Sequence, residues 1–149
     1  MRELYYAYGS NMSTRRLLTR VPAARSLGRA RLVGMRLVCN KPGRDGSGKA
    51  NLELDPAAHV WGVLYEIQVD HWALLDRHES GYERKRHHVQ TGDGRSHDAQ
   101  LYLYLGDGSN WLPNASYREH LLEGAREHRL PEAFVETIAS WSVANASET

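Results

Sequence analysis

Apolar positions in this chain follow two spacings. Five stretches read as strands, being β-branched or aromatic with short alternation: Leu4–Tyr8, residues 29–39, His59–Ile67, His87–Gln90 and Asp98–Leu105. Gly34 within the second predicts a bulge or bend. Thr91-Gly-Asp-Gly-Arg95 predicts a hairpin turn between the last two. Four stretches carry helical spacing. Asn11 or Ser13 caps a helix to about Arg20, with Leu17, Leu18 and Val21 inward. Asp70 caps a short helix His71–His78 with Trp72 and Leu75 on one face, ended by Ser80-Gly81. Ser116 opens a capping box with Glu119, and its helix runs to about His128 with Tyr117, Leu121, Leu122 and Ala125 inward. Pro131 suits the first turn of a last helix carrying Phe134, Ile138 and Trp141.

Strands and helices are interspersed and the strands lie close together. This predicts an α+β fold with a curved or closed, mostly antiparallel sheet rather than a doubly wound parallel one. With 149 residues and no repeat or linker, the chain reads as one domain over 1–141 with a frayed tail at 142–149. One cysteine, Cys39, excludes an internal disulfide and any zinc site built on several thiolates. No apolar run is long enough for a membrane helix, and the N-terminus lacks the apolar core of a signal peptide; the expectation is a cytoplasmic protein without membrane contact. Charge divides unevenly. Residues 1–49 hold eleven Lys/Arg against two acids (+9), and the remainder sums to −8. Either the basic third, from about residue 15, meets nucleic acid, or the two parts fold together and leave a locally positive site for a small anion. The cations are spread over strands, helix and loop, which favours the small anion and no nucleic acid.

Several motifs bear on chemistry. Tyr8-Gly9-Ser10-Asn11-Met12 joins a strand to a helix, where a glycine permits close approach and free amides can hold an anion; it also reads simply as a capped turn. Glu79 follows the last turn of a short helix, where the macrodipole and neighbours Trp72, Leu75 and Tyr82 disfavour its charge. It reads as a general base, or as a surface carboxylate neutralised by Arg77, Arg84 or Lys85. Gly43–Lys49 imitates a phosphate loop inside a Gly-rich polar loop at 42–50, but Ala50 offers no hydroxyl and no helix follows, so nucleotide hydrolysis is rejected. The eight histidines form no metal set, and Cys39 reads as a small core residue.

Taken together, these segments resemble the γ-glutamylcyclotransferase (AIG2-like) family. Tyr5–Met12 is similar to its N-terminal substrate loop, and Asn40-Lys41 with Gly46–Asn51 to a loop of many bacterial members. Val60–Tyr65 resembles its central strand, Leu75–Glu79 the segment bearing its catalytic glutamate, and Pro113–Pro131 its C-terminal helix pair. The family usually has glycine after the glutamate; here Ser80 intervenes before Gly81. The resemblance implies a small mixed, mostly antiparallel β-barrel flanked by helices, with a cavity at one mouth. It implies that the α-amine of a small γ-glutamyl substrate attacks its own γ-amide carbonyl, giving 5-oxoproline and a free amine or amino acid without cofactor or metal. Glu79 would be the catalytic acid and base, with Tyr5, Tyr6, Ala7, Tyr8, Gly9, Ser10, Asn11, Tyr82 and Tyr102 around the substrate. Two alternatives stay open: a specialised member removing a γ-glutamyl protecting group from a biosynthetic intermediate, and a non-catalytic binding module. Trp141 is a candidate contact of a possible homodimer.

Overall fold

The computed structural model describes residues 1–107 and 109–144. Five strands close into a barrel in the order β1-β3-β2-β4-β5. They are β1 (Arg2–Ala7), β2 (Arg25–Pro42), β3 (Gly48–Gln68), β4 (Glu83–Thr91) and β5 (Ser96–Leu103), with helices α1 (Thr14–Arg20), α2 (Trp72–His78), α3 (Ala115–Glu127) and α4 (Glu132–Ala139) around them. The pairs β1–β3, β2–β3, β2–β4 and β4–β5 are antiparallel; β1–β5, through Tyr5 and Gln100, is parallel and closes the barrel. This is the mixed, mostly antiparallel barrel with flanking helices that the family resemblance implies.

The first strand explains the closure. Tyr5, Tyr6 and Ala7 are all buried, because one face of β1 looks into the barrel and the other is covered. The Tyr6 hydroxyl donates to the carbonyls of Ala30 (3.3 Å) and Val60 (3.0 Å), tying three strands together. Its ring crosses Gly62, where a Cβ would sit 2.5 Å from the Ala7 carbonyl oxygen and 2.7 Å from Tyr6 Cζ. Only glycine lets β1 and β3 approach this closely.

Strand β2 is longer than the predicted 29–39 and changes register three times against β3, at Ser26/Gly28, Val33/Met35 and Val38/Lys41. The bend expected at Gly34 is present, with φ +90. The polar loop expected at 42–50 is shorter: Gly48–Ala50 belong to β3, and the turn spans residues 43–47, closed by the Gly43 N–H to the Ser47 carbonyl at 2.8 Å. The segment that imitates a phosphate loop is therefore a hairpin tip.

Two capping expectations are corrected and a third is met. Asp70 lies inside a 3-10 turn, Val69–His71, and does not cap α2, whose N-cap His71 makes no side-chain bond. Asn114 caps α3 by accepting the Tyr117 N–H at 2.7 Å, so Ser116 falls within the helix. Of the two expected caps of α1, Ser13 serves, accepting the Arg16 N–H at 3.4 Å. Leu18 is 38% exposed, because a seven-residue helix turns only Leu17 and Val21 fully inward. Trp141 lies beyond α4, packs partly against the core and accepts Arg118 Nη1 on its carbonyl at 2.7 Å. Of the tail expected at 142–149, residues 145–149 lie outside the described residues.

The basic third meets acidic partners from later in the chain: Arg15 with Glu123, Arg25 with Glu66 and Arg36 with Glu53. No helix among the described residues is long and apolar enough to cross a membrane.

Candidate active site

Strand β1 ends at Ala7, and the chain turns through Gly9 into a 3-10 turn, Ser10–Met12, before α1. Helix α3 presses on this turn through Gly124, where a Cβ would sit 2.4 Å from the Met12 carbonyl carbon. Among the described residues, the N–H groups of Gly9, Ser10 and Asn11 have no protein acceptor; the turn's own bonds run from Met12 N–H to the Gly9 carbonyl and from Ser13 N–H to the Ser10 carbonyl. Free amides gathered at a turn form a concave donor set suited to an oxyanion.

Glu79 faces this turn. It ends α2 with φ −106 and ψ 40, its N–H still bonded to the Leu75 and Asp76 carbonyls. The chain then reverses: Tyr82 N–H reaches the Glu79 carbonyl at 3.1 Å, with Gly81 at φ +90 in the third position of the turn. That position needs positive φ, so Gly81 does the work of the glycine that the resemblance placed one residue earlier, and Ser80 lies exposed.

The Glu79 side chain is 16% exposed. Its Oε1 accepts from Asn11 Nδ2 at 2.7 Å, and Arg20 Nη1 lies 3.9 Å away. Asn11, itself 3% exposed, also donates to the Tyr5 hydroxyl (3.0 Å) and accepts from Arg20 on Oδ1 (3.1 Å). Burial pushes the Glu79 carboxyl up from its ordinary 4.5 to about 7, against the opposing pull of Arg20, the Asn11 bond, Lys41 and Arg16. A carboxyl at that value exchanges protons readily at neutral pH. Two of the residues weighed as neutralisers pair elsewhere: Arg84 pairs with Asp76 at 3.0 Å and stacks over Trp72, and Lys85 lies 3.8 Å from Glu83. Arg77 has no carboxylate within 4.0 Å among the described residues.

Tyrosines wall the pocket. Tyr5, Tyr6, Tyr8, Tyr82 and Tyr102 line it with Gly9, Ser10, Asn11 and Glu79. Tyr5 meets Tyr102 and Trp72 edge to face at 5.9 and 6.0 Å, and the Tyr102 hydroxyl donates to Asp76 at 2.7 Å. The Tyr8 hydroxyl donates to the Tyr102 carbonyl. Burial raises the phenols of Tyr5, Tyr8, Tyr82 and Tyr102 well above their ordinary value, so at neutral pH they are uncharged hydroxyls. Ala7 does not line the pocket; it is buried in the ladder opposite Val63, with its carbonyl against Gly62. The inner chamber leaves about 30 Å³, enough for small polar groups, and shares Ser10, Glu79, Tyr82 and Tyr117 with a larger cavity of about 420 Å³.

Two lining residues, Ala50 and Tyr117, are absent from the sequence reading of the site. Ala50 sits at the register shift of the long hairpin. Its N–H donates to the Tyr117 hydroxyl (2.9 Å) and its carbonyl accepts from the Tyr82 hydroxyl (2.7 Å). The adjacent Asn51 pins this bulge, bonding Asn40 and both main-chain groups of Tyr104. Tyr117 has the spacing of a helix-core residue, and nothing in that spacing separates a pocket hydroxyl from a packing ring. Cys39 is partly buried, and burial pushes its thiol up to about 12, which leaves it protonated and unreactive at neutral pH. Among the described residues, no three His, Cys, Asp or Glu side chains are grouped to hold a metal ion.

The model of the AIG2-like family matches residues 59–138. The chain is 31% identical over 144 residues to the γ-glutamylcyclotransferase of Homo sapiens, covering 91% of this chain and 76% of that one. It is 30% identical over 146 residues to the γ-glutamylcyclotransferase of Bos taurus, covering 92% and 77%. A solved structure described as a γ-glutamyl cyclotransferase superposes with a TM-score of 0.92 at 27% identity, covering 99% of this chain and 92% of that one. A barrel of the same shape, sequence likeness along nearly the whole chain and a family match across its second half together place this chain in the AIG2-like, γ-glutamylcyclotransferase family.

Proposed function

We propose that this chain is a γ-glutamylcyclotransferase in which Glu79 is the catalytic acid and base. A small γ-glutamyl compound binds with its glutamyl end in the tyrosine-walled pocket and its scissile amide beside Glu79. The α-nitrogen of the substrate attacks the γ-amide carbonyl carbon, a C–N bond forms, and the carbonyl oxygen becomes an oxyanion. The amide C–N bond then breaks, giving 5-oxoproline and a free amine or amino acid. Two protons leave the α-nitrogen in all, and two reach the released nitrogen. Glu79 relays the one that moves while the C–N bonds change; the other is lost to water before attack and regained from water by the released amine. The nucleophile is part of the substrate, so the protein supplies position and charge rather than a nucleophile of its own.

The observation that carries this reading is the Glu79 carboxyl, drawn out of water at the pocket mouth and held at 2.7 Å by Asn11, with its pKa near 7. It is ionised often enough to accept a proton and protonated often enough to return one. The free amides of Gly9, Ser10 and Asn11 line the same pocket and supply donors for the oxyanion, each worth ~3 kcal/mol of barrier in comparable sites. Tyr5, Tyr8, Tyr82 and Tyr102 shape the pocket and exclude water as neutral hydroxyls. The reading includes a cytoplasmic location, one domain over residues 1–141 and no cofactor. The test is a panel of γ-glutamyl dipeptides and γ-glutamyl amines incubated with the protein. Released 5-oxoproline, equal in amount to released amine, is expected from at least one; binding of 5-oxoproline without turnover of any would make the chain a binding module.

A further inference from the structure

The larger cavity beyond Glu79 shares Ser10, Glu79, Tyr82 and Tyr117 with the inner pocket, so a substrate whose scissile amide meets Glu79 has its leaving group there. Its walls are unusually cationic. Arg16 and Arg20 come from α1, Lys41, Arg44 and Lys49 from the β2–β3 hairpin tip, and Arg77 from the end of α2. Arg20 lies 3.9 Å from Glu79 and Lys49 lies 4.0 Å from Asp45. Among the described residues, Arg16, Lys41, Arg44 and Arg77 have no carboxylate within 4.0 Å. The Arg16 Nη1 contact is a histidine, His120 at 3.2 Å, and its buried Nε has no acceptor. Lys41 lies over the Tyr82 ring at 5.3 Å. Six like charges facing one cavity repel one another unless an anion enters between them. One carboxylate is satisfied by a single guanidinium, through two parallel bonds. Four cations without an ion-pair partner exceed what a simple amino acid's single carboxylate would use.

We propose that this cavity selects γ-glutamyl compounds whose released amine carries at least two negative groups, as a dicarboxylic or phosphorylated amino acid does. The proposal rests on the cyclotransferase reading and narrows its substrate class. It disfavours cationic leaving groups, since a polyamine would enter a field of its own sign. The selectivity lies in the hairpin tip and the end of α2, apart from the groups that handle the amide.

The experiment compares kcat/KM for 5-oxoproline release from γ-glutamyl-glutamate, γ-glutamyl-phosphoserine, γ-glutamyl-glutamine and γ-glutamyl-lysine. The glutamate and glutamine conjugates differ by one charge at nearly constant shape. At low ionic strength the glutamate conjugate should exceed the glutamine conjugate at least ten-fold, with the lysine conjugate lowest, and the gap should narrow as salt is added. The phosphoserine arm separates a phosphate preference from a dicarboxylate one. Arg44→Gln combined with Arg77→Gln, both at exposed positions, should bring the glutamate-to-glutamine ratio towards one. Equal rates for glutamate and glutamine conjugates, or a faster lysine conjugate, would overturn the proposal while leaving the cyclotransferase reading intact. Calorimetric titration with free glutamate, phosphoserine and glutamine reads the cavity independently of turnover. If no conjugate is turned over yet the two anions bind and glutamine does not, the cyclotransferase reading fails and the anion site stands; if none binds, both fail.

Discussion

Replacing Glu79 by Gln should make the protein more stable above about pH 4.5, with the gain complete just above pH 7. The folded chain holds this carboxyl near 7 against an ordinary 4.5, chiefly because burial penalises its charge. The gap between those values, at about 1.36 kcal/mol per pH unit, amounts to about 3 kcal/mol. The sign follows from proton binding. Between pH 4.5 and 7 the folded state holds the proton more tightly than the unfolded chain, so stability falls as pH rises through that window. Below it the wild type carries no penalty; above it the full penalty applies. Glutamine stays neutral throughout and keeps an acceptor for Asn11 Nδ2. The variant should therefore match the wild type near pH 4 and exceed it by up to about 3 kcal/mol near pH 8.5, or about 6–12 °C in Tm for a chain of this size. Thermal melts and urea titrations of both proteins at the two pH values supply the comparison. A gap of the same size at both pH values, or none at pH 8.5, would refute the claim that a desolvated carboxylate sits at position 79. A stabilising loss at this position is what a site kept for chemistry rather than for stability produces.

Other perturbations probe the frame around that carboxyl. Asn11→Ala removes the donor that favours the charged form of Glu79, so the carboxyl rises further and the acid limb of the kcat/KM profile should move to higher pH, by about one unit. Tyr117→Phe leaves the Ala50 N–H without its acceptor and should cost about 1–3 kcal/mol, read as a lower urea midpoint at unchanged slope. Gly124→Ala places a Cβ 2.4 Å from the Met12 carbonyl carbon. It should cost about 1–3 kcal/mol by thermal melt and lower 5-oxoproline release as the turn at 10–12 shifts.

Local patterns carried much of this architecture. All five strands and four helices stand where apolar spacing predicts them, because each buries a face whose period the sequence displays. The errors fall where tertiary contacts decide. The hairpin β2–β3 extends well beyond its apolar stretch because polar Asn40 and Asn51 bond each other across the two strands, and Asn51 holds Tyr104. Asn114 took the cap expected of Ser116 because both types serve equally and sequence does not choose between neighbours. At the site, Glu79 stood out as a carboxylate placed against local preference, and the strand-to-helix turn at 8–12 by its glycine and its helix start. The partners of Glu79 did not stand out: Arg20 and Lys41 come from separate elements, and only closure of the barrel brings them to one side chain. Ala7 was drawn in by its neighbours in the resembling segment, although it does not line the pocket. The charge split pointed to a positive site, and folding places six of the cations from the first half and α2 around one cavity.

Proton relay by one side chain, Glu79, is the step on which the proposed reaction depends most. With any γ-glutamyl compound that the wild type converts, kcat for 5-oxoproline release by Glu79→Gln at pH 7.5 should fall by about 10³-fold or more, in the upper part of the 10²–10⁴-fold typical of a single acid–base group. Its thermal melt at the same pH should show an intact and more stable fold. A folded variant that releases 5-oxoproline within ten-fold of the wild type would contradict the account.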